Sequence, residues 1–262
     1  MSLPELLGLS LVVVIGYMTA IWLLSLTLRN ASIVDVFWGL GFVVLAFVYF
    51  AGDDGFVGRK VLITTLVAIW GLRLSLHIFW RNRGKGEDYR YRDWRERAGG
   101  RFWWKSFFQV FVLQGVLLWL ISAPLLAAQF YDSPDNFTAV DILGALVWGV
   151  GFYFESVGDW QLARFKSDPA NRGKVMRTGL WRYTRHPNYF GDATVWWGLF
   201  IIAAATGEGA WTIFSPVLMT FLLLRVSGVA LLERKQAETK PGYREYIEST
   251  SAFLPWFPRM RR

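Results

Sequence analysis

The chain has 262 residues, a formal net charge of +8 and a mean hydropathy of +0.31, with 54% hydrophobic residues and only 18% charged ones. A soluble domain carries about a quarter charged residues, and here the apolar residues come in long runs, which excludes an ordinary soluble globule. No cysteine and only two histidines exclude disulfides and thiolate metal sites.

Crossing roughly 30 Å of hydrocarbon takes ~20 apolar residues. Such runs fall at 3–26, 33–51, 61–80, 107–130, 140–157, 189–205 and 210–232. The first carries Glu5 and no basic leader, so it reads as an anchored helix and not a cleaved signal peptide. The fifth carries Glu155, and the sixth begins among polar residues, so either is a candidate to face a cavity. Fifteen Trp, ten Tyr and 21 Phe suit helix ends at headgroup depth.

Loop charge sets the orientation. Residues 81–105 hold nine Lys/Arg against four acids, 159–187 seven against two, and the tail 233–262 seven against four. The alternate loops carry Asp53 and Asp54, then Asp132 and Asp135, then Glu208. Seven helices put the basic segments on one side and the acidic ones on the other. The expected fold is therefore an all-α membrane protein of about seven transmembrane helices, N-terminus outside and C-terminus cytoplasmic. A basic face of this kind also grips anionic inner-leaflet lipids at ~1 kcal/mol per residue, and no nucleic-acid-binding module accompanies it.

The richest stretch is Gly179-Leu-Trp-Arg-Tyr-Thr-Arg-His-Pro-Asn-Tyr-Phe-Gly-Asp192. Pro187 suits the first turn of a helix, whose free N–H groups and dipole favour an anion. Arg182, Arg185 and His186 at such an end make a phosphate or carboxylate clamp, with Tyr183 and Tyr189 among them. Asn188 and Asp192 are four apart and share one helix face. An interfacial anchor is the plainer reading, and Asp192 opposes it, because an acid inside a helix mouth needs a partner or a purpose. Glu155 and Asp159 end the fifth helix, followed by Arg164 and Lys166, while Arg225 and Glu233 lie eight residues apart in and after the last. Acids and bases at this depth pair structurally or line a polar pocket.

In the N-terminal half, Asp35 lies about one turn inside the second helix, either as a favourable partner of the helix dipole or as an acid facing a substrate carbonyl. Arg73 and His77 form a helical pair in the third. The segment 83–92 alternates charges and aromatics, suited to lie on the membrane or to close over a ligand.

Gly179–Asp192, with Asp35-Val-Phe-Trp-Gly39, Asp88-Tyr-Arg-Tyr91 and Tyr243–Pro255, resembles the steroid 5α-reductase superfamily, more closely its uncharacterised bacterial branch of the DUF1295 type. The last third is also similar to isoprenylcysteine carboxyl methyltransferases. Asn188-Tyr-Phe-Gly-Asp192 follows the reductase pattern, and a single Glu233 followed by Arg234 departs from the methyltransferases' Glu-Glu pair.

The resemblance implies one integral membrane domain, 1–262, in a bacterial inner membrane, its active site facing the cytoplasm. Helices one to four (1–130) would hold an apolar small-molecule substrate, and helices five to seven (139–262) would hold NADPH. By match, Asp159, Lys166, Asn188, Asp192 and Arg225 would contact the cofactor, with Arg164, Arg177, Tyr183, Arg185, His186 and Glu233 near its phosphates or amide. The activity implied is an NADPH-dependent CH–CH oxidoreductase of the 3-oxo-5α-steroid 4-dehydrogenase type, acting as a monomer. The chain has no Gly-x-Gly-x-x-Gly fingerprint, so side chains and loops would hold the dinucleotide. In the resemblance Asp35 stands for a catalytic Glu, and Trp70 takes the place of a catalytic Tyr. Either Tyr89 or Tyr91 then folds back to supply the hydroxyl, with Tyr91 assigned, or the substrate is not an enone. The alternatives are a methyltransferase using S-adenosylmethionine and a non-catalytic lipid-binding membrane protein.

Overall fold

The computed structural model describes residues 1–52, 55–226 and 229–259. Asp53, Asp54, Arg261 and Arg262, which carry part of the loop-charge argument, lie outside them. Among the described residues the chain is helical, with no strand. Six helical stretches there are long and apolar enough to cross a membrane: Leu3–Leu28, Ala31–Gly52, Val57–Asn82, Tyr89–Phe130, Ala139–Ser167 and Glu208–Val226. They make the chain a multi-pass membrane protein. Large apolar side chains such as Val12, Leu146 and Ile142 are 70%, 64% and 59% exposed along them, as lipid-facing positions require. The run at 189–205 forms a helix but is not among the six, because Asn188 and Asp192 dilute its first turns.

The chain divides into two compact units. The first comprises Met1–Thr138 with Ala203–Thr212. It opens with α1 (Leu3–Leu28), whose first turn is closed by the Ser2 N–H donating to the Glu5 carboxylate at 2.8 Å. A short turn at Ala31–Ile33, capped by Asn30 Oδ1 accepting from the Ser32 N–H at 3.0 Å, starts α2 (Val34–Gly52). Then α3 (Val57–Asn82) crosses α2 where Gly39 meets Gly71: a Cβ on Gly39 would lie 2.7 Å from the Gly71 carbonyl oxygen. Only glycine permits that approach, and in lipid such close backbone contact supplies the dispersion energy that apolar burial does not.

The fourth apolar run differs from the sequence reading. It extends back to Tyr89 and is broken into α4 (Tyr89–Ala98), α5 (Phe102–Ser106), a π-helical segment at Phe107–Val112, α6 (Leu113–Ile121) and α7 (Ala123–Phe130). Pro124 lacks the N–H that would continue α6, so the chain breaks at Ser122 and restarts.

The second unit comprises Ala139–Ile202 and Ile213–Arg262. Its long helix α8 (Ala139–Ser167) packs on α9 (Pro187–Ala204) through glycines: a Cβ on Gly191 would lie 2.3 Å from the Glu155 N, and one on Gly151 2.5 Å from the Val195 N. After α10 (Phe214–Phe221) and a π-helical segment at Leu222–Val226 come α11 (Val229–Thr239) and α12 (Tyr243–Ser249). The last apolar run is thus not one regular helix from 210 to 232.

Candidate active site

Two polar clusters stand out, one in each unit. In the first unit, Glu87 and Asp88 strap the start of α4 to the turn before α2. The Ala31 N–H donates to Glu87 Oε1 at 2.7 Å, and the Asp88 N–H donates to Ser32 Oγ at 3.2 Å. Asp88 caps α4 by accepting from the Arg90 N–H at 3.0 Å, and a two-pronged pair at 2.8 Å from Arg95 fixes Glu87. Burial pushes the Glu87 carboxyl up, but these hydrogen bonds outweigh it and hold it below its usual value.

That strap carries Arg90 and Tyr91 onto Asp35. The Tyr91 hydroxyl donates to Asp35 Oδ1 at 2.7 Å, and Arg90 Nη2 donates to Asp35 Oδ2 at 3.0 Å. Gln114 Nε2 donates into the Tyr91 oxygen at 3.2 Å. Gly39, one turn beyond Asp35, fixes the height of that turn of α2 against α3. Tyr91 is thus the residue beside Asp35, whereas Trp70 is fully buried with its ring edge-on to Phe42 at 5.7 Å. Sequence reasoning missed Gln114. A lone amide in an apolar run is a signal that a polar partner faces it.

In the second unit α9 begins at Pro187, and Arg185 and His186 lie buried just before it. Arg185 Nε donates to Glu233 Oε1 at 2.7 Å, and its Nη1 donates to the Ile247 carbonyl at 2.9 Å and to the Thr250 carbonyl. His186 Nε2 lies 3.1 Å from the same Glu233 oxygen, and its ring stacks on Tyr189. Glu233 is drawn two ways. Burial raises its pKa, but the hydrogen bonds and charge of His186 and Arg185 prevail and lower it to about 2.

The backbone joins this tie, with the Arg185 N–H donating to the Ser251 carbonyl and the Trp256 N–H to the Tyr183 carbonyl, both at 2.9 Å. The sequence assigned Arg185 and His186 to an anion clamp. The structure commits three Arg185 N–H donors to Glu233 and to the tail.

The other expected site residues divide. Asn188 Nδ2 donates to Asp159 Oδ1 at 3.1 Å, joining two of them, and Asp192 is buried one turn further along α9. Arg177 donates to the Gly242 carbonyl and lies 3.7 Å from Glu245. Tyr183 faces the tail, edge-on to Phe257 at 6.1 Å. Arg225 is exposed in the π-helical segment, and Arg164 and Lys166 are exposed at the end of α8. Asp159 thus pairs with Asn188, and Glu233 with Arg185 and His186.

A model of the family described as "Protein of unknown function (DUF1295)" matches residues 21–250. The chain belongs to that family. In this DUF1295 protein the matched span contains Asp35, Arg90, Tyr91, Gln114, Asp159, Arg185, Asn188, Asp192 and Glu233, that is, both clusters entire. The chain is also similar to an uncharacterized protein of the fission yeast Schizosaccharomyces pombe, 25% identical over 279 residues, covering 96% of this chain and 80% of the relative. No solved structure matches it.

Near the second cluster, three clefts open among the loops that follow α8. One of about 410 Å³ is lined by Arg177, Arg182, Thr178 and Ser249. A second of about 450 Å³ is lined by Trp160, Gln161, Arg164 and Phe165, and a third of about 380 Å³ by Lys166, Arg172, Lys174 and Lys240. These open basic surfaces suit a large anion better than the sealed Arg185 does.

Proposed function

We propose that this DUF1295 protein is an NADPH-dependent membrane reductase of a carbon–carbon double bond conjugated to a carbonyl in a lipid or steroid-like substrate. The observation that carries the reading is the Tyr91 hydroxyl hydrogen-bonded to Asp35 at 2.7 Å. Trp70 stands where the steroid reductases carry a tyrosine, and the Tyr91 hydroxyl beside Asp35 is the group that would take its part.

NADPH, when bound, would supply a hydride to the β-carbon of such a substrate, and a proton from solvent would complete the reduction at the α-carbon. The chain's own residues do the rest. The Tyr91 hydroxyl accepts from Gln114 and donates to Asp35 in the free protein; it would exchange that bond for one to the carbonyl oxygen as negative charge builds there. Arg90 balances the Asp35 charge and holds its carboxylate in place. The residues of the second unit fit a dinucleotide with several phosphates: exposed Arg164, Arg177 and Arg182 line clefts, and Asn188 with Asp159 offers an amide and a carboxylate for a polar ring substituent. The reading includes seven spans, α9 as the sixth in order, with the N-terminus outside and the basic segments cytoplasmic in a bacterial inner membrane. The alternation of basic and acidic loops supports it.

The test is NADPH titration of detergent-purified protein, read by energy transfer from its 15 tryptophans to the nicotinamide. The expected result is saturation by NADPH that Asn188→Ala weakens. Saturation by S-adenosylmethionine alone would establish a methyltransferase instead.

A further inference from the structure

The three clefts of the second unit adjoin one another and together offer one extended surface groove. The middle cleft shares Thr178 and Gly179 with the first, and Phe165, Ser167, Asp168 and Asn171 with the third. Its chemistry changes along its length. At one end the cleft is lined by Lys166, Arg172, Lys174 and Lys240, with Asp168 among them. That acid caps the turn at Pro169–Asn171, accepting from the Ala170 N–H at 2.9 Å and from Asn171 Nδ2 at 3.4 Å. In the middle stand an exposed indole, Trp160, and the ring of Phe165, with the amides of Gln161 and Asn171. At the other end are Arg177 and Arg182 with the hydroxyls of Thr178, Ser249 and Thr250. The order is a dense cationic end, an aromatic and amide-bearing centre, then a guanidinium pair.

Four cations around about 380 Å³ exceed what a singly charged group needs, and they suit a dianionic phosphomonoester. Burial lowers the pKa of Lys240, so its charge gains from an anion set beside it. A flat heteroaromatic base stacks on Trp160 or Phe165, and amides read its edge. The guanidinium pair suits a diphosphate.

We infer that this groove binds the adenosine half of a 2′-phosphorylated dinucleotide, its 2′-phosphate among Lys166, Arg172, Lys174 and Lys240, its base against Trp160 and Phe165, and its diphosphate at Arg177 and Arg182. The inference rests on the reductase reading and adds to it the residues that select the phosphorylated coenzyme. Of these, Arg172, Lys174, Lys240, Trp160 and Arg182 belong to no cofactor set implied by the family resemblance.

The experiment uses the full chain in neutral detergent and two probes that undergo no chemistry, 2′,5′-ADP and 5′-ADP, with dissociation constants from calorimetry. The wild type is expected to prefer 2′,5′-ADP by roughly 10–100-fold. Arg172→Glu with Lys174→Glu, both on an exposed loop, brings that ratio near one with 5′-ADP affinity and the unfolding temperature unchanged. Arg182→Glu weakens both probes together. A double variant that keeps the full preference overturns the groove assignment and leaves the reductase reading intact, provided NADPH still saturates. Failure of NADPH and of both probes to bind the wild type overturns both. If the double variant instead loses only retention on vesicles containing anionic phospholipid, the cationic end is a headgroup contact and the assignment is overturned.

Discussion

The Asp35 cluster and the Glu233 cluster are built from the same parts, a carboxylate, an arginine and a third polar side chain, yet they differ in access. The two carboxylates are almost equally exposed, Asp35 at 21% and Glu233 at 19%, but Arg90 is 33% exposed where Arg185 and His186 are 7% and 5%. Asp35 meets partners carried on α4, a ten-residue helix held to α2 by a strap of side-chain bonds. Glu233 meets partners that also grip the backbone of the tail at Ile247, Thr250 and Ser251. A reachable acid with a hydroxyl beside it is equipped to give a hydrogen bond to an incoming group. An acid whose arginine and histidine partners are buried, with the arginine's donors in use, is equipped to hold chain segments together. The tie at Glu233 therefore shapes the loops around the basic groove, and the pair at Asp35 is where the proposed chemistry falls.

The largest expected effect breaks the comparison at its chemical end. Tyr91→Phe removes one hydroxyl and nothing else, so turnover should fall by roughly 10²–10⁴-fold. NADPH affinity should stay near the wild type, while stability should fall by only about 1–3 kcal/mol as Asp35 and Gln114 each lose a partner. Turnover within a few-fold of the wild type would remove Tyr91 from the mechanism and leave the hydroxyl's source open to Tyr89.

At the structural end, Arg185→Met should lower stability by about 3–5 kcal/mol, because Glu233 keeps its charge with one partner fewer and the tail loses its grip. The tail should then become sensitive to protease near Ser251 before the helices unfold. An unchanged unfolding temperature and a protected tail would show that Arg185 is dispensable to the fold, which returns it to the role of anion ligand.

A smaller effect joins the helix packing to the site. Gly191 stands between Asn188 and Asp192, and its missing Cβ lets α9 lie against the Glu155 backbone. Gly191→Ala forces the helices apart and should cost about 1–3 kcal/mol. It should also weaken NADPH binding by displacing Asn188 from Asp159. Loss of stability without any loss of binding would separate the helix crossing from the cofactor site.

How much of this was legible in the sequence depends on range. Apolar runs are local, and the first three and the fifth became helices near the expected positions. Pro187 marked the start of α9, because its ring fits a first turn whatever lies around it. The break of the fourth run into short helices was not legible, because a π-helical segment at Phe107–Val112 has no composition of its own. Nor was the fate of Arg185. Beside His186 and a helix start it read as an anion ligand, and only Glu233, 48 residues on, and the tail carbonyls decide that its donors are taken. Tyr91 also depends on tertiary detail. The gap left by Trp70 calls for a hydroxyl from Tyr89 or Tyr91, and the strap through Glu87 and Asp88 sets the second beside Asp35.

The subtlest difference between the clusters lies in proton linkage at Glu233. Burial there works to raise the carboxyl's pKa, and the hydrogen bonds and charge of His186 and Arg185 bring it down to about 2, against an ordinary 4.5. With the folded value depressed, the unfolded chain takes up the proton first on acidification. The tie thus contributes fully above about pH 4.5 and loses its contribution as the pH falls toward 2. Glu233→Gln, a neutral side chain of the same shape, has no such proton to bind. The gap in unfolding temperature between wild type and this variant should therefore narrow from about pH 6 to about pH 3. A gap that stays constant over that range would mean that the Glu233 charge adds no stability, and that the tail is held by the Arg185 bonds to backbone carbonyls alone.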